Sequence, residues 1–299
     1  MTESKVIKVA KPKHIPPPIS LQDFRPGVLK PESYSLSEIS STLIAHLRRT
    51  EFTSTQMRGL ARYQYQGSWN WGEPGNMVDV NKFFDIFNDI FFNGVLTGYC
   101  TLRTYQRELG SNYPYMAYSY ILPRGRGRDT RYKRDQAAAF ILFDVYNDHL
   151  HRPIPLVIHR IAVLLREMLH VLFSLFHCSC EHGCEAEANS RTRLGGYDLH
   201  WQAATYSLER AARREDLLGL HIYLDRVSQA AELLGQGKKT LWAQELSMGE
   251  LESGFSVEIF RADVERVFKK FRSSQWTPKK SLKANVCIAL WQDSEQWNM

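Results

Sequence analysis

The stretch LLREMLHVLF (residues 164–173) carries an acid and an imidazole three positions apart, Glu167 and His170. On a helix, residues three apart lie about one turn apart on the same face. A carboxylate placed there can take a proton from water, and an imidazole beside it can hold a metal ion that acidifies that water. A helix that grips a metal with two histidines carries them at i and i+4 with the acid directly after the first. The first of those positions is occupied here by Arg166. A guanidinium keeps its proton and has no lone pair to donate. At about 4 Å from a divalent ion, in a medium of effective dielectric about 20, it repels that ion by on the order of 8 kcal/mol. A strong zinc site binds with about 10–16 kcal/mol, so the opposition is of the same order as the binding. An inward Arg166 therefore works against a metal and is expected to pair with Glu167 or another carboxylate. His159, seven residues earlier and about two turns away, is a poor substitute ligand.

A second set of donors follows at once. HCSCEHGC (residues 177–184) places His177, Cys178, Cys180, His182 and Cys184 within eight residues. Thiolates and imidazoles are zinc donors, so Cys178, Cys180, His182 and Cys184 are expected as a local metal set, and their cysteines as substitute donors for the helix. The spacing is tighter than the two separated pairs usual for structural zinc, and a loop of free thiols is the other reading. Five cysteines in all, an odd number, and an N-terminus without an apolar signal segment argue against a secreted disulfide framework.

A third chemical feature is PRGRGRDTRYKR (residues 123–134), with six basic residues and one acidic. Arg124, Arg126, Arg128, Arg131, Lys133 and Arg134 on a glycine-rich backbone suit phosphate contacts, as in nucleic acid; a solvated loop is the alternative. The formal net charge of +6 leans the same way. Tyr65, Trp69 and Trp71, in a Gly/Pro/Asn-rich loop, are candidates for stacking on bases or for capping a core.

These groups need elements to hold them. Residues 1–30 contain five of the twelve prolines and little apolar periodicity, which predicts a disordered basic tail. A helical pattern runs over residues 35–62, with Ser35 or Ser37 as N-cap. Phe83, Ile86, Phe87, Ile90 and Phe91 predict a second helix, ended by Asn93-Gly94. Strand-like runs follow at 99–105, 115–122 and 137–145, then a helix over 155–176 and another over 198–215. Weaker amphipathic pieces occupy 241–251 and 257–271, before a last apolar run at 286–291. The longest apolar run, residues 154–176, is interrupted by His159, Arg160, Arg166, Glu167 and His170, too many for a lipid-spanning helix. The expected setting is soluble and intracellular, nuclear or cytoplasmic, with no membrane partner.

The order of these segments resembles the SprT-like family of zincin metalloproteases, which includes the Spartan proteases acting on DNA–protein crosslinks. FNDIFFNGVL (residues 87–96) resembles the helix end before that family's first strand. AAAFILFDV (residues 137–145) resembles the strand before its active-site helix, LLREMLHVLF the HExxH helix, and GGYDLHWQAA (residues 195–204) the segment with the third ligand. The resemblance covers residues 83–214, under half of the chain. It implies an α+β zincin-like fold with a small sheet packed on helices, a tail over 1–30, a SprT-like domain over 31–225 and a helical extension over 226–299. It implies Glu167 as general base, His170 as second zinc ligand and His200 as third. Arg166 departs from the family at the first ligand, and Asp198-Leu199-His200-Trp201 departs from its Gly-His-Gly surroundings. Three functions stay open: a catalytically impaired pseudo-metalloprotease that acts by binding DNA or chromatin, an active zinc protease with a substitute ligand, and an adaptor whose Cys/His loop holds zinc.

Overall fold

The computed structural model describes residues 15–65, 77–105, 117–122, 138–144, 156–180, 184, 196–224 and 262. The order of its elements is α1 (Leu36–Arg48), α2 (Ser54–Tyr65), α3 (Met77–Phe92), β1 (Cys100–Tyr105), β2 (Ala117–Leu122), β3 (Ala138–Asp144), α4 (Leu156–Phe176) and α5 (Leu199–Arg213). This is an α+β fold with a three-stranded mixed sheet in the order β1-β3-β2; β3 runs parallel to β1 and antiparallel to β2. No described helix is long and apolar enough to cross a membrane. The pieces predicted at 241–251, 257–271 and 286–291 lie outside the described residues, Ala262 apart.

Ser35 caps α1 by accepting from the Glu38 N–H, as its position before an apolar periodic run predicts. The single helical pattern expected over 35–62 is, however, two helices. Arg49 leaves helical geometry, and Arg214 donates to the Leu47 and Arg49 carbonyls at 3.1 Å each, satisfying the end of α1 from across the fold. Thr53 and Gln56 then form a reciprocal capping box that starts α2: the Thr53 hydroxyl accepts from the Gln56 N–H, and the Gln56 side chain accepts from the Thr53 N–H. At Gly59 a Cβ would lie 2.8 Å from Asp89 and Ile90 side-chain atoms, so glycine sets the close approach of α2 to α3. Arg58 adds a two-pronged ion pair to Asp89 across that seam.

Asn93 and Gly94, both at positive φ, end α3. One face of the sheet (Leu102, Ala117, Ala139, Ile141 and Phe143) is buried, and α4 packs against β2 and β3.

The disordered tail expected over 1–30 does not hold for residues 15–30. Phe24 and Leu29 are buried in the core, and the segment is fastened along its length. Asn93 donates to the Phe24 carbonyl and Tyr99 to the Leu29 carbonyl. Glu32 donates its N–H to the Leu175 carbonyl, and Ser33 and Tyr34 donate theirs to the Phe176 carbonyl. The last carbonyls of α4, orphaned by the helix end, thus find partners in residues 32–34. Proline content misled because an extended segment needs only a few well-placed apolar side chains and outside donors to be held. Residues 1–14 lie outside the described residues.

His46 on α1 is buried beside Phe24, and burial is the main cause that lowers its pKa from 6.5 to about 4; Arg49 adds to the shift, and a bond with the Ile90 backbone opposes it. Above pH 6.5 the neutral ring is common to folded and unfolded chains, and its contribution is fully present. As pH falls from 6.5 to about 4, the unfolded chain takes a proton that the fold refuses, and on the order of 3 kcal/mol of stability is lost. Urea unfolding across that window is expected to show this loss, and His46→Gln to flatten it. Parallel pH profiles for parent and variant would refute it.

Candidate functional site

The candidate centre lies on α4, where among residues 157–176 only Ser174 is exposed. Such a helix must satisfy its polar side chains inside the protein. Arg166 and Glu167 do so with each other. The guanidinium donates from Nε and Nη2 to Glu167 Oε1 at 3.2 and 3.1 Å, and both side chains are 7% exposed. Neighbours on a helix point about 100° apart and ordinarily do not meet. Here the two side chains converge because both are shut in against the core.

The second carboxylate oxygen is also engaged. Ser119 on β2 donates its hydroxyl to Glu167 Oε2 at 2.9 Å. Sequence reasoning missed Ser119. The available signal was its phase: in AYSYIL the two-residue period puts Ser119 on the same sheet face as buried Ala117, against α4. Glu167 therefore accepts at both oxygens, one from a fixed cation and one from a hydroxyl.

His170, one turn further on, is packed among rings. It stacks on Trp201 with centroids 5.1 Å apart and meets Tyr197 edge-on at 4.9 Å. Tyr197 in turn stands perpendicular to Trp201 at 5.0 Å. The start of α5 positions this group: Asp198 caps the helix by accepting from the Trp201 N–H at 3.0 Å. His200, half-buried between them, has its backbone carbonyl bonded by Ser40 of α1. The α4 and α5 segments expected to carry ligands are thus in contact. Yet among the described residues Glu167, His170 and His200 do not form a group of three donors close enough to share an ion.

Such a group does exist one turn beyond α4. The Sγ atoms of Cys178, Cys180 and Cys184 all lie within 4.8 Å of one another; Cys178 and Cys184 are buried and Cys180 half-buried. Burial, with the neighbouring thiols, pushes the Cys184 thiol up to about 12, and burial also raises Cys178. His182, Arg124, Arg126, Arg128, Arg131, Lys133, Arg134, Trp69 and Trp71 lie outside the described residues.

On the opposite face of the sheet, Tyr118 and Tyr120 are 40% and 36% exposed. Tyr120 stacks on Phe140 at 5.1 Å, and Arg103 lies 4.4 Å over the other ring, Phe140. Comparison with protein-family models, with curated proteins and with solved structures returned no match.

The Arg166–Glu167–Ser119 arrangement carries a measurable coupling. Arg166→Met strips the buried carboxylate of its cation and is expected to destabilise the fold by about 3–5 kcal/mol in urea unfolding. Adding Glu167→Gln should restore part of that loss, giving strong non-additivity. Additive effects of the two substitutions would show the pair to be energetically independent.

Proposed function

We propose that this chain is a catalytically impaired SprT-like domain that acts by binding, with nucleic acid or chromatin as its target. The observation that carries the reading is the buried Arg166–Glu167 pair. Where the family resemblance implies a zinc ion held over the general base, a guanidinium contacts the carboxylate instead. A catalytic zinc does not fit these residues: the first ligand position is a permanent cation, and the carboxylate in the general-base position is bonded at both oxygens.

A helix, then a small sheet, then a long helix and a further helix follow one another in the order of the resembling segments, which supports the SprT-like reading. The binding role is supported by the net charge of +6, by the six basic residues that follow β2 in sequence, and by the exposed tyrosines on β2. Phosphate contacts from such a segment are non-specific and electrostatic, while tyrosine faces stack on unpaired bases.

Two measurements test the two halves. Protein cleavage by the zinc-supplemented chain that disappears with Glu167→Gln would end the impaired-enzyme reading; none is expected. Arg166→His is expected to take up about one further equivalent of zinc relative to the parent, since it supplies the missing imidazole. Affinity for single-stranded DNA, followed by fluorescence anisotropy, is expected to fall about 300-fold between about 50 and 200 mM salt if all six basic residues meet phosphates. A salt-independent or absent signal would remove nucleic acid as the target.

A further inference from the structure

The junction at the end of α4 combines two features that the SprT-like reading does not use. The first is the set of three converging thiols, Cys178, Cys180 and Cys184, whose sulfur atoms lie within 4.8 Å of one another. The second is the backbone seam beside them. Tyr34 and His177 form an isolated parallel bridge, the Cys178 N–H donates to the Tyr34 carbonyl at 2.8 Å, and residues 32–34 cap Leu175 and Phe176. The first thiol is therefore set, by its own main chain, directly at the place where the N-terminal segment meets the helix end.

We infer that Cys178, Cys180 and Cys184 bind one zinc ion, and that this ion fastens the end of α4 to the N-terminal segment. Tetrahedral zinc–thiolate bonds of about 2.3 Å place sulfur atoms under about 4 Å apart, which a small contraction of the observed cluster reaches. Soft sulfur donors select a thiophilic ion over magnesium or calcium. Three protein donors leave a fourth position for water or one further side chain. Binding replaces three S–H bonds by three Zn–S bonds and releases three protons to solvent, so no oxidant or reductant is required. The location also separates this ion from the α4 centre: it belongs to the turn after the helix, beyond the reach of Arg166. The inference is independent of the SprT-like reading and survives its failure.

The ion's part is structural. Residues 15–34 are held by a few hydrogen bonds and by Phe24 and Leu29, and their last anchors are the bonds to Leu175, Phe176 and Cys178. Clamping Cys178 to Cys180 and Cys184 restrains that seam from the other side.

The full-length chain, purified under reducing conditions without chelator, is expected to carry about one equivalent of zinc by elemental analysis. Cys180→Ser with Cys184→Ser should lose it, while His170→Ala and His200→Ala should retain it. Cys180→His, which preserves a donor, should still bind. Cobalt(II) added to the stripped parent chain should give a thiolate-to-metal charge-transfer band and a tetrahedral visible spectrum, a readout that requires no folded variant. Stripping should also speed proteolytic cleavage within residues 15–34 and amide exchange at residues 32–34. Zinc content unchanged in the double cysteine variant, a cobalt spectrum without sulfur ligation, or a disulfide among the three in freshly prepared protein would each overturn the inference. Zinc bound as expected, but with no change in cleavage or exchange on stripping, would overturn the fastening role.

Discussion

The near-complete burial of α4 constrains everything around it. A helix with apolar neighbours on almost every side cannot hand its polar groups to water, so each must be met by another part of the chain. Three solutions follow along its length. In the middle, Arg166 and Glu167 neutralise each other and Ser119 closes the remaining oxygen. A turn later His170 lies flat against Trp201, its ring used as packing surface. At the end, residues 32–34 bring backbone donors to the last carbonyls. The sheet, α5 and the N-terminal segment are all placed by what this helix requires.

The same constraint explains why the centre has the character of a closed site. A catalytic carboxylate needs a free lone pair and a nearby water, with an ion whose charge is shared with that water. A guanidinium supplies positive charge of similar use to the carboxylate, but it spends that charge on directed N–H bonds and offers no exchangeable position. With Ser119 on the other oxygen, both carboxylate oxygens are held in fixed hydrogen bonds, which favours a set geometry over exchange of partners. A buried pair of this kind is costly to break by halves and cheap to keep whole, so it is stable against single losses only through mutual dependence.

Much of the scaffold was legible in the sequence because it obeys simple periods. The helix ended by Asn93-Gly94, the three strands and the two later helices fall within a few residues of the runs that predicted them, and Ser35 caps α1 as its position suggests. The expected pairing of Arg166 with Glu167 was legible too, because a permanent charge on an apolar helix has few other recourses. What escaped was set by partners distant in sequence. The end of α1 is satisfied by Arg214, more than 160 positions away, and the restart at Thr53–Gln56 reads as ordinary helix unless the capping box is sought. Ser119 is one small hydroxyl in a tyrosine-rich strand, and only the sheet register shows which way it points. The N-terminal segment was judged by its prolines, whereas Phe24 and Leu29 decide its place.

The donor set on α4 and the one just beyond its end also differ in a way that chemistry, more than position, decides. The mid-helix set is hard and already neutral: an oxygen acceptor with its own cation, sealed by strand β2, with nothing for a metal to improve. The set at the helix end is soft and frustrated. Three thiols share one small space, and burial raises the Cys178 and Cys184 thiols. A divalent ion reverses that balance by stabilising thiolates outright. The guanidinium that opposes a divalent ion at Glu167 has no bearing on sulfur donors beyond the helix end, so the two positions are chemically independent.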